Sequence, residues 1–521
     1  MARFGPVQES NSTSSGPYSG GGSTSIMQAK AGMSGIAVND LVQFDRDGKL
    51  FPVRVSDFAA VPNMGTAVVP WTVLSGLKLV GSAKKALYFD SIDACSYAAV
   101  PLTSDSGLTV TKLSSAGAIL GSVTLDAVIT TMLRSPCITK LANGNFLAVW
   151  EVITTGALFF SIFDKYLSVV VAKTQIDTPD IINYAFDAIP LVGGGFAVAY
   201  SKNNPFLAIY SNTGAVVLAG SALTSAAVFG IAAQSIVLTQ LSNGNIAVAI
   251  GTNAAAKKLG YAITTAAGAS VVGCTMINTS AGAVNNNGVQ MSALPGYFCC
   301  TQQDQSNTTA YVLSNAGVIQ GAPLTAAGST TVTVPCLIND GVSFWLSYNT
   351  DQVTTIIACL PVSGVGFTSF TLKTVLSVQV KDFFYDRGFI VLADSAKAYV
   401  MSVSPANKLT LLNTLEMTPP SSVTSVSIVA GGDSTLVMMI VTSVSTCVIT
   451  MKYANTSIAG VALQSVAPGN DGTVISFVTG SGGLLNNGII GSPVKTFDQS
   501  MANILGNKGM LFSNSVLLKG Y

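Results

Sequence analysis

The sequence predicts an all-β repeat fold of about eight four-stranded units, seven being the alternative count. Three observations carry the reading: a strand–turn–strand unit that recurs at 50 residues, a second hairpin that alternates with it in phase, and a chain rich in Val, Ile, Ala, Ser, Thr and Gly but poor in charge. The clearest copies are LANGNFLAVW from Leu141, LVGGGFAVAY from Leu191 and LSNGNIAVAI from Leu241. Each reads as two apolar strands around a tight Asn/Gly turn, because Gly and Asn adopt positive φ at low cost. Weaker copies start at Phe89, Leu294, Ile338, Tyr385 and Ala430.

The second hairpin appears as KLSSAGAILG from Lys112, IYSNTGAVVLAG from Ile209, AITTAAGASVVG from Ala262 and VLSNAGVIQG from Val312. SIFDKYLSVV from Ser161, SVSPANKLTLL from Ser402 and MKYANTSIAGV from Met451 are degenerate versions in the same phase. Two hairpins per period is the size of one β-propeller blade. A lone four-stranded blade leaves both faces bare, whereas radial stacking lets each blade cover the next. Solenoid coils repeat at shorter spacing, and sandwich domains do not repeat a paired hairpin at this one. Thr72 to Val80 is the candidate strand that closes the ring.

From the N-terminus, residues 1–30 are predicted to be a flexible Ser/Gly-rich arm, too poor in apolar area to offset its ordering entropy. Residues 31–66 form the first half of a small β-rich base module, residues 67–455 the propeller, and residues 456–521 the second half of the base. A closed ring brings its two ends together, so the base halves are expected to meet. The tail from Gly506 alternates enough to be a final strand pair.

Composition narrows the chemistry. Charged residues are 9% of the chain, against roughly 25% in ordinary soluble domains. The net charge of +1 builds no field for nucleic acid or an anionic membrane. Histidine is absent, which removes Ser-His-Asp and Cys-His catalysis and imidazole metal sites. The chain is expected to be no enzyme and to need neither cofactor nor metal. Mean hydropathy is +0.53, but Ser434–Met451, the best membrane candidate, is broken by Thr442, Ser443, Ser445 and Thr446 and reads as two strands and a polar turn. The eight cysteines show no metal spacing. Vicinal Cys299 and Cys300 read as buried thiols on opposite faces of a strand. No secretory signal is evident.

Two segments flank the repeats: GIAVNDLVQFDRDGKLFPVRVSD from Gly35, and SIAGVALQSVAPGNDGTVISFVTG from Ser457. Together they resemble the small β-rich attachment modules of tailed-bacteriophage virion proteins, particularly fibres and other appendages. The resemblance covers about 24 residues at each end. It implies a non-enzymatic virion structural protein, assembled in the host cytoplasm, with the propeller inserted between the halves of its base. The implied partners are other virion proteins of capsid, neck or tail, further copies of the chain, and a host-surface glycan or protein. The alternative is a carbohydrate-active or lectin-like propeller.

The candidate ligand or partner contacts are the aromatics Trp150, Tyr200, Trp345, Tyr348, Phe384 and Tyr385, with Phe383 beside them; blade core is the competing role for each. A glycoside hydrolase would need two facing carboxylates, drawn from Glu151, Asp164, Asp177, Asp180, Asp187, Asp304, Asp351, Asp382, Asp386, Asp394 and Glu416. DRDG at Asp45–Gly48 lacks the remaining acidic ligands of a calcium loop and reads as a turn. APGNDGT around Asp471 reads likewise, and GSGG at Gly480–Gly483 lacks the lysine of a phosphate cradle.

Overall fold

The computed structural model describes most of residues 85–452, apart from short connections, together with strands at 26–30, 41–44, 50–52, 72–75, 460–462, 471–476, 511–513 and 516–518. Among the described residues every regular element is a strand. Eight four-stranded antiparallel sheets follow one another: blade 1 (87–126), blade 2 (133–177), blade 3 (186–222), blade 4 (233–280), blade 5 (289–327), blade 6 (336–376), blade 7 (382–416) and blade 8 (423–452 plus Thr72–Ser75). Strands run in chain order from the innermost outward, and the first strands touch in ring order, with blade 8 against blade 1. The fold is an eight-bladed β-propeller.

Closure uses the segment anticipated for it. Thr72–Ser75 is the outer strand of blade 8, paired with Thr446–Lys452 in the register Ser75–Thr446 and Val73–Cys447. This corrects one sequence reading: MKYANTSIAGV is not the second hairpin of blade 8, because Gly460–Ala462 pairs elsewhere. Ser434–Met451 is the expected strand pair, with its turn between Thr442 and Thr446.

The core lies between the blades, which explains why second strands are apolar throughout. Phe146–Val152 is buried along its whole length. Phe146, Ala148 and Trp150 enter the layer shared with blade 1, whereas Leu147 and Val149 enter the layer shared with blade 3. The same alternation puts Phe196, Val198 and Tyr200 toward blade 2, and Ala197 and Ala199 toward blade 4. Cys300 faces blade 4 and Cys299 faces blade 6, so the vicinal thiols occupy different interfaces. Period-two alternation with both faces covered is what a blade requires.

The second hairpins interlock neighbouring blades through their turns. Gly317, with φ +82°, lies against Tyr261 of blade 4, whose hydroxyl donates to Gly317 O at 2.6 Å. A Cβ at Gly317 would sit 2.7 Å from that hydroxyl, so Gly317→Ala is expected to cost about 1–3 kcal/mol from φ strain and the displaced hydrogen bond. Urea unfolding checks this. In blade 2 the same turn position is Leu167, at φ 69°, and its side chain packs on the blade 1 core.

Both chain ends contribute to a separate five-stranded antiparallel sheet, ordered Ile26–Lys30, Asp471–Ser476, Gly460–Ala462, Leu41–Phe44, Leu50–Pro52. Ile26 to Lys30 therefore belongs to this sheet, where the sequence reading had still placed the arm. Asp471 opens the strand Asp471–Ser476, and residues 467–470 of the APGNDGT turn lie outside the described residues. Leu511–Ser513 and Val516–Leu518 form the expected terminal pair. The turns at Asp45–Gly48 and Gly480–Gly483 lie outside the described residues.

Candidate functional site

The ring has two unlike ends. At one, the paired hairpins turn tightly, as at 141–145, 191–195 and 241–245. At the other, longer connections pass from blade to blade, the longest from Ala222 to Ala233. Most of the ionised side chains resolved near these ends tie one blade to the next.

The aromatic candidates belong to those interfaces. Trp150, Tyr200 and Trp345 have no exposed surface, and Tyr348 is buried, so their rings are not open to stack on a sugar. Phe384 and Tyr385 are half-buried against the layers beside blade 7, and Phe383 is buried. Trp150 and Tyr200 stand at the same place in successive blades and do the same work. Trp150 Nε1 donates to Asp126 Oδ2 at 3.1 Å, and Tyr200 OH donates to Asp177 Oδ2 at 2.8 Å. Each carboxylate ends the outer strand of the preceding blade. Each also takes a lysine: Lys173 on Asp126 at 2.7 Å and Lys202 on Asp177 at 2.8 Å. Lys173 lies 4.2 Å from the Phe159 ring centroid, a cation–π contact. Trp345 Nε1 donates within its own blade to Asp340 Oδ2 at 2.8 Å.

Burial opposes charge on Asp177, yet the hydrogen bonds from Lys202, Tyr200 and the Thr178 N–H outweigh it and hold the carboxyl below its ordinary 3.8. Burial, reinforced by Asp177, pushes the Tyr200 hydroxyl far up. A depressed carboxyl pKa contributes stability that is present above the unfolded value and is lost as pH falls through the folded one. Asp177→Asn is thus expected to flatten the loss of stability below about pH 4. Tyr200→Phe is expected to cost about 1 kcal/mol at neutral pH. Acid titrations of unfolding midpoints check both.

A second tie lies at the start of the inner strands. Asp187, 3% exposed, accepts the N–H groups of Ala188 and of Leu238 in blade 4, each at 2.8 Å, and pairs with Lys85 beside blade 1. Cys137 Sγ donates to Ala188 O at 3.6 Å, and burial pushes its thiol up to about 12. At the tight-turn end Lys140 meets Asp90 at 2.7 Å, joining blades 2 and 1. Asp382 accepts the Ile428 N–H at 3.0 Å, joining blades 7 and 8.

The remaining acidic candidates divide simply. Asp164 and Asp394 cap turns through backbone N–H groups. Glu151 is buried at a strand end. Asp180, Asp304 and Asp351 lie outside the described residues, as do the side chains of Asp386 and Glu416. Among the described residues no three His, Cys, Asp or Glu side chains are grouped to hold a metal. All eight cysteines are unbridged, and only Cys274 is not fully buried. A cavity of about 70 Å³ between blades 3 and 4, lined by Leu207, Leu218, Thr264 and Val272, is far below the roughly 300 Å³ of small ligand pockets.

Three solved structures to which the chain is similar are the following. The Dos1 propeller is 13% identical with a TM-score of 0.48, covering 74% of this chain and 95% of that one. BBS1N, from its complex with ARL6DN, is 11% identical with a TM-score of 0.39, covering 75% and 100%. Kluyveromyces lactis Hsv2 is 12% identical with a TM-score of 0.39, covering 66% and 99%. No protein-family model matches the chain, and no curated protein matches it in sequence.

Sequence reasoning missed Asp126, Lys85 and the structural role of Asp187. A signal for the first was present: Trp150 and Tyr200 are 50 residues apart, and Asp126 and Asp177 are nearly so.

Proposed function

We propose that this chain is a non-enzymatic structural protein of a tailed-bacteriophage virion, a fibre or appendage component whose propeller is displayed from a base that attaches to other virion proteins. The observation that carries the reading is the sheet built from residues 26–52 and 460–476. The ring is an insertion between the two halves of that sheet, and those halves contain the segments that resemble virion attachment modules. Two features of the ring agree with a building role. The aromatics open to a sugar-binding reading fill interfaces between blades, and Asp126, Asp177 and Asp187 are engaged with lysines and ring or backbone donors as ties. Host-surface binding, if the particle uses the ring for it, falls to the longer connections.

Antibody raised against the purified ring, gold-labelled and imaged on intact particles, tests the proposal. Labelling at a fixed place on the virion, with the chain present in stoichiometric amount by mass spectrometry, is the expected result. Absence of the chain from purified particles would overturn it, as would release of reducing ends from host polysaccharide by the isolated protein.

A further inference from the structure

The seams between blades 1 and 2 and between blades 2 and 3 share one arrangement at the end away from the tight turns. A carboxylate at the end of the outer strand, Asp126 or Asp177, accepts from a ring donor of the next blade, Trp150 or Tyr200. It also accepts from a lysine of that blade, Lys173 or Lys202. Both carboxylates occupy one register position, Asp126 opposite Leu108 and Asp177 opposite Leu158.

The seam between blades 5 and 6 keeps the donors of this arrangement but has no carboxylate in it. Tyr348 stands where Trp150 does: Phe344, Leu346 and Tyr348 face blade 5 as Phe146, Ala148 and Trp150 face blade 1. Lys373 stands where Lys173 does. Thr174 is opposite Phe160, which is opposite Val149, and Thr374 is opposite Ile357, which is opposite Ser347, with a register shift beside each. The residue before each threonine therefore turns to the preceding blade. The carboxylate position is filled by Ala326, opposite Thr308, which is opposite Gln303, as Asp177 is opposite Leu158 and Leu158 is opposite Glu151. Among the described residues Lys373 makes no ion pair and the Tyr348 hydroxyl makes no hydrogen bond.

Four further polar atoms on this side of blade 5 are buried without a hydrogen-bond partner in the chain: Thr301 Oγ1, Thr308 Oγ1 and both amide atoms of Gln303. Their residues are at most 1% exposed. Thr301 and Gln303 share a strand face with Cys299, and Thr308 shares one with Ala310, both of which lie in the layer between blades 5 and 6. A buried polar group without a partner bears its full desolvation cost, and an ion or water is the usual remedy.

We infer that this slot binds a small carboxylate ion of the formate or acetate class, in the position that Asp126 and Asp177 hold in the first two seams. Lys373 supplies the charge, and the Tyr348 hydroxyl, the Gln303 amide N–H and the two threonine hydroxyls supply donors to its oxygens. A metal cation would meet an ammonium and leave the Gln303 N–H groups unpaired. A sugar acid is too large for a seam in which every group but Lys373 is buried. The virion reading is not required for the inference.

Urea unfolding of the full-length protein in sodium acetate, against sodium chloride of equal ionic strength, tests it. Acetate is expected to raise the midpoint with a saturating dependence on concentration. Lys373→Met, at a half-buried residue without an ion pair, should fold like the wild type and bind acetate at least about tenfold more weakly. Ala326→Asp supplies the carboxylate from within the chain, so it should raise the midpoint in chloride and abolish the acetate response. General effects of acetate on the solvent act equally on all three proteins, so the difference between wild type and Lys373→Met isolates the site. Glucuronate in place of acetate should give no specific response. The inference is overturned by a wild-type response no larger than that of Lys373→Met, by a folded Ala326→Asp protein that keeps the full response, or by glucuronate acting as strongly as acetate. If Ala326→Asp does not fold, the Lys373→Met comparison decides alone.

Discussion

Replacing Thr72–Ser75 with a Gly-Ser tract is expected to expose Cys447 to thiol reagents while the remaining buried thiols stay protected. Cys447 has no exposed surface in the closed ring, and its cross-strand partner is Val73. Leu74 packs on the layer shared by blades 1, 2 and 8, and Thr72 Oγ1 donates to Gly117 O of blade 1 at 2.9 Å. Loss of the strand removes about 1–2 kcal/mol of apolar burial and about 1 kcal/mol for each hydrogen bond not replaced, for a total of about 2–4 kcal/mol. In the wild type Cys274 alone should label readily, since it is the one thiol not fully buried. Mass spectrometry after brief labelling should therefore find one new modified peptide, containing Cys447. An unchanged labelling pattern and unfolding midpoint would mean that the ring does not depend on this strand.

The second large effect is expected at Asp187. Alanine there leaves the Leu238 N–H without its acceptor inside the ring, and Lys85 without its counter-ion. An unpaired buried N–H costs roughly 1–3 kcal/mol, and the lost charge-assisted bond adds to it. Asp187→Ala should thus destabilise by about 2–4 kcal/mol in urea unfolding. Asp187→Asn, which keeps one acceptor oxygen, should recover part of the loss. Equal and small effects from both would show that the tie contributes little. Glycan or polysaccharide binding should be untouched by either variant, because Asp187 acts only through the inner strands.

How far the sequence reveals this molecule depends on where each signal resides. The hairpin phase was legible because Gly144, Gly194 and Gly244 hold positive φ at matching turns, and that requirement shows directly in residue choice. It faded where Leu167 and Asn407 take the left-handed position, which is why their hairpins read as degenerate. The second hairpin of blade 6 left no trace, because its strands Thr355–Pro361 and Thr371–Leu376 stand nine residues apart in the chain, farther than a hairpin turn of roughly two to five residues spans. Blade 8 was misphased because its last strand comes from the far end of the chain. The closing strand was nonetheless identified, since a ring that begins with an unpaired strand must use it somewhere.

The aromatic candidates could not be resolved from sequence for a related reason. In most sheets one face is wet, so alternation separates exposed from buried residues. Here both faces of the second strand are covered, so Trp150 and Val149 look alike in pattern and differ only in the blade they meet. The ties at Asp126 and Asp177 join neighbouring blades, and Asp187 reaches Lys85, 102 positions away and beyond the adjacent blade. Local pattern does not encode such pairs.

The central claim is that eight blades close one ring through a strand contributed from before the repeats. A density map of the full-length protein viewed down the ring axis measures this most directly. The account predicts eight four-stranded blades with Thr72–Ser75 outermost in the last, paired to Thr446–Lys452. A seven-bladed ring, an open coil, or a three-stranded eighth blade with Thr72–Ser75 paired elsewhere would contradict it.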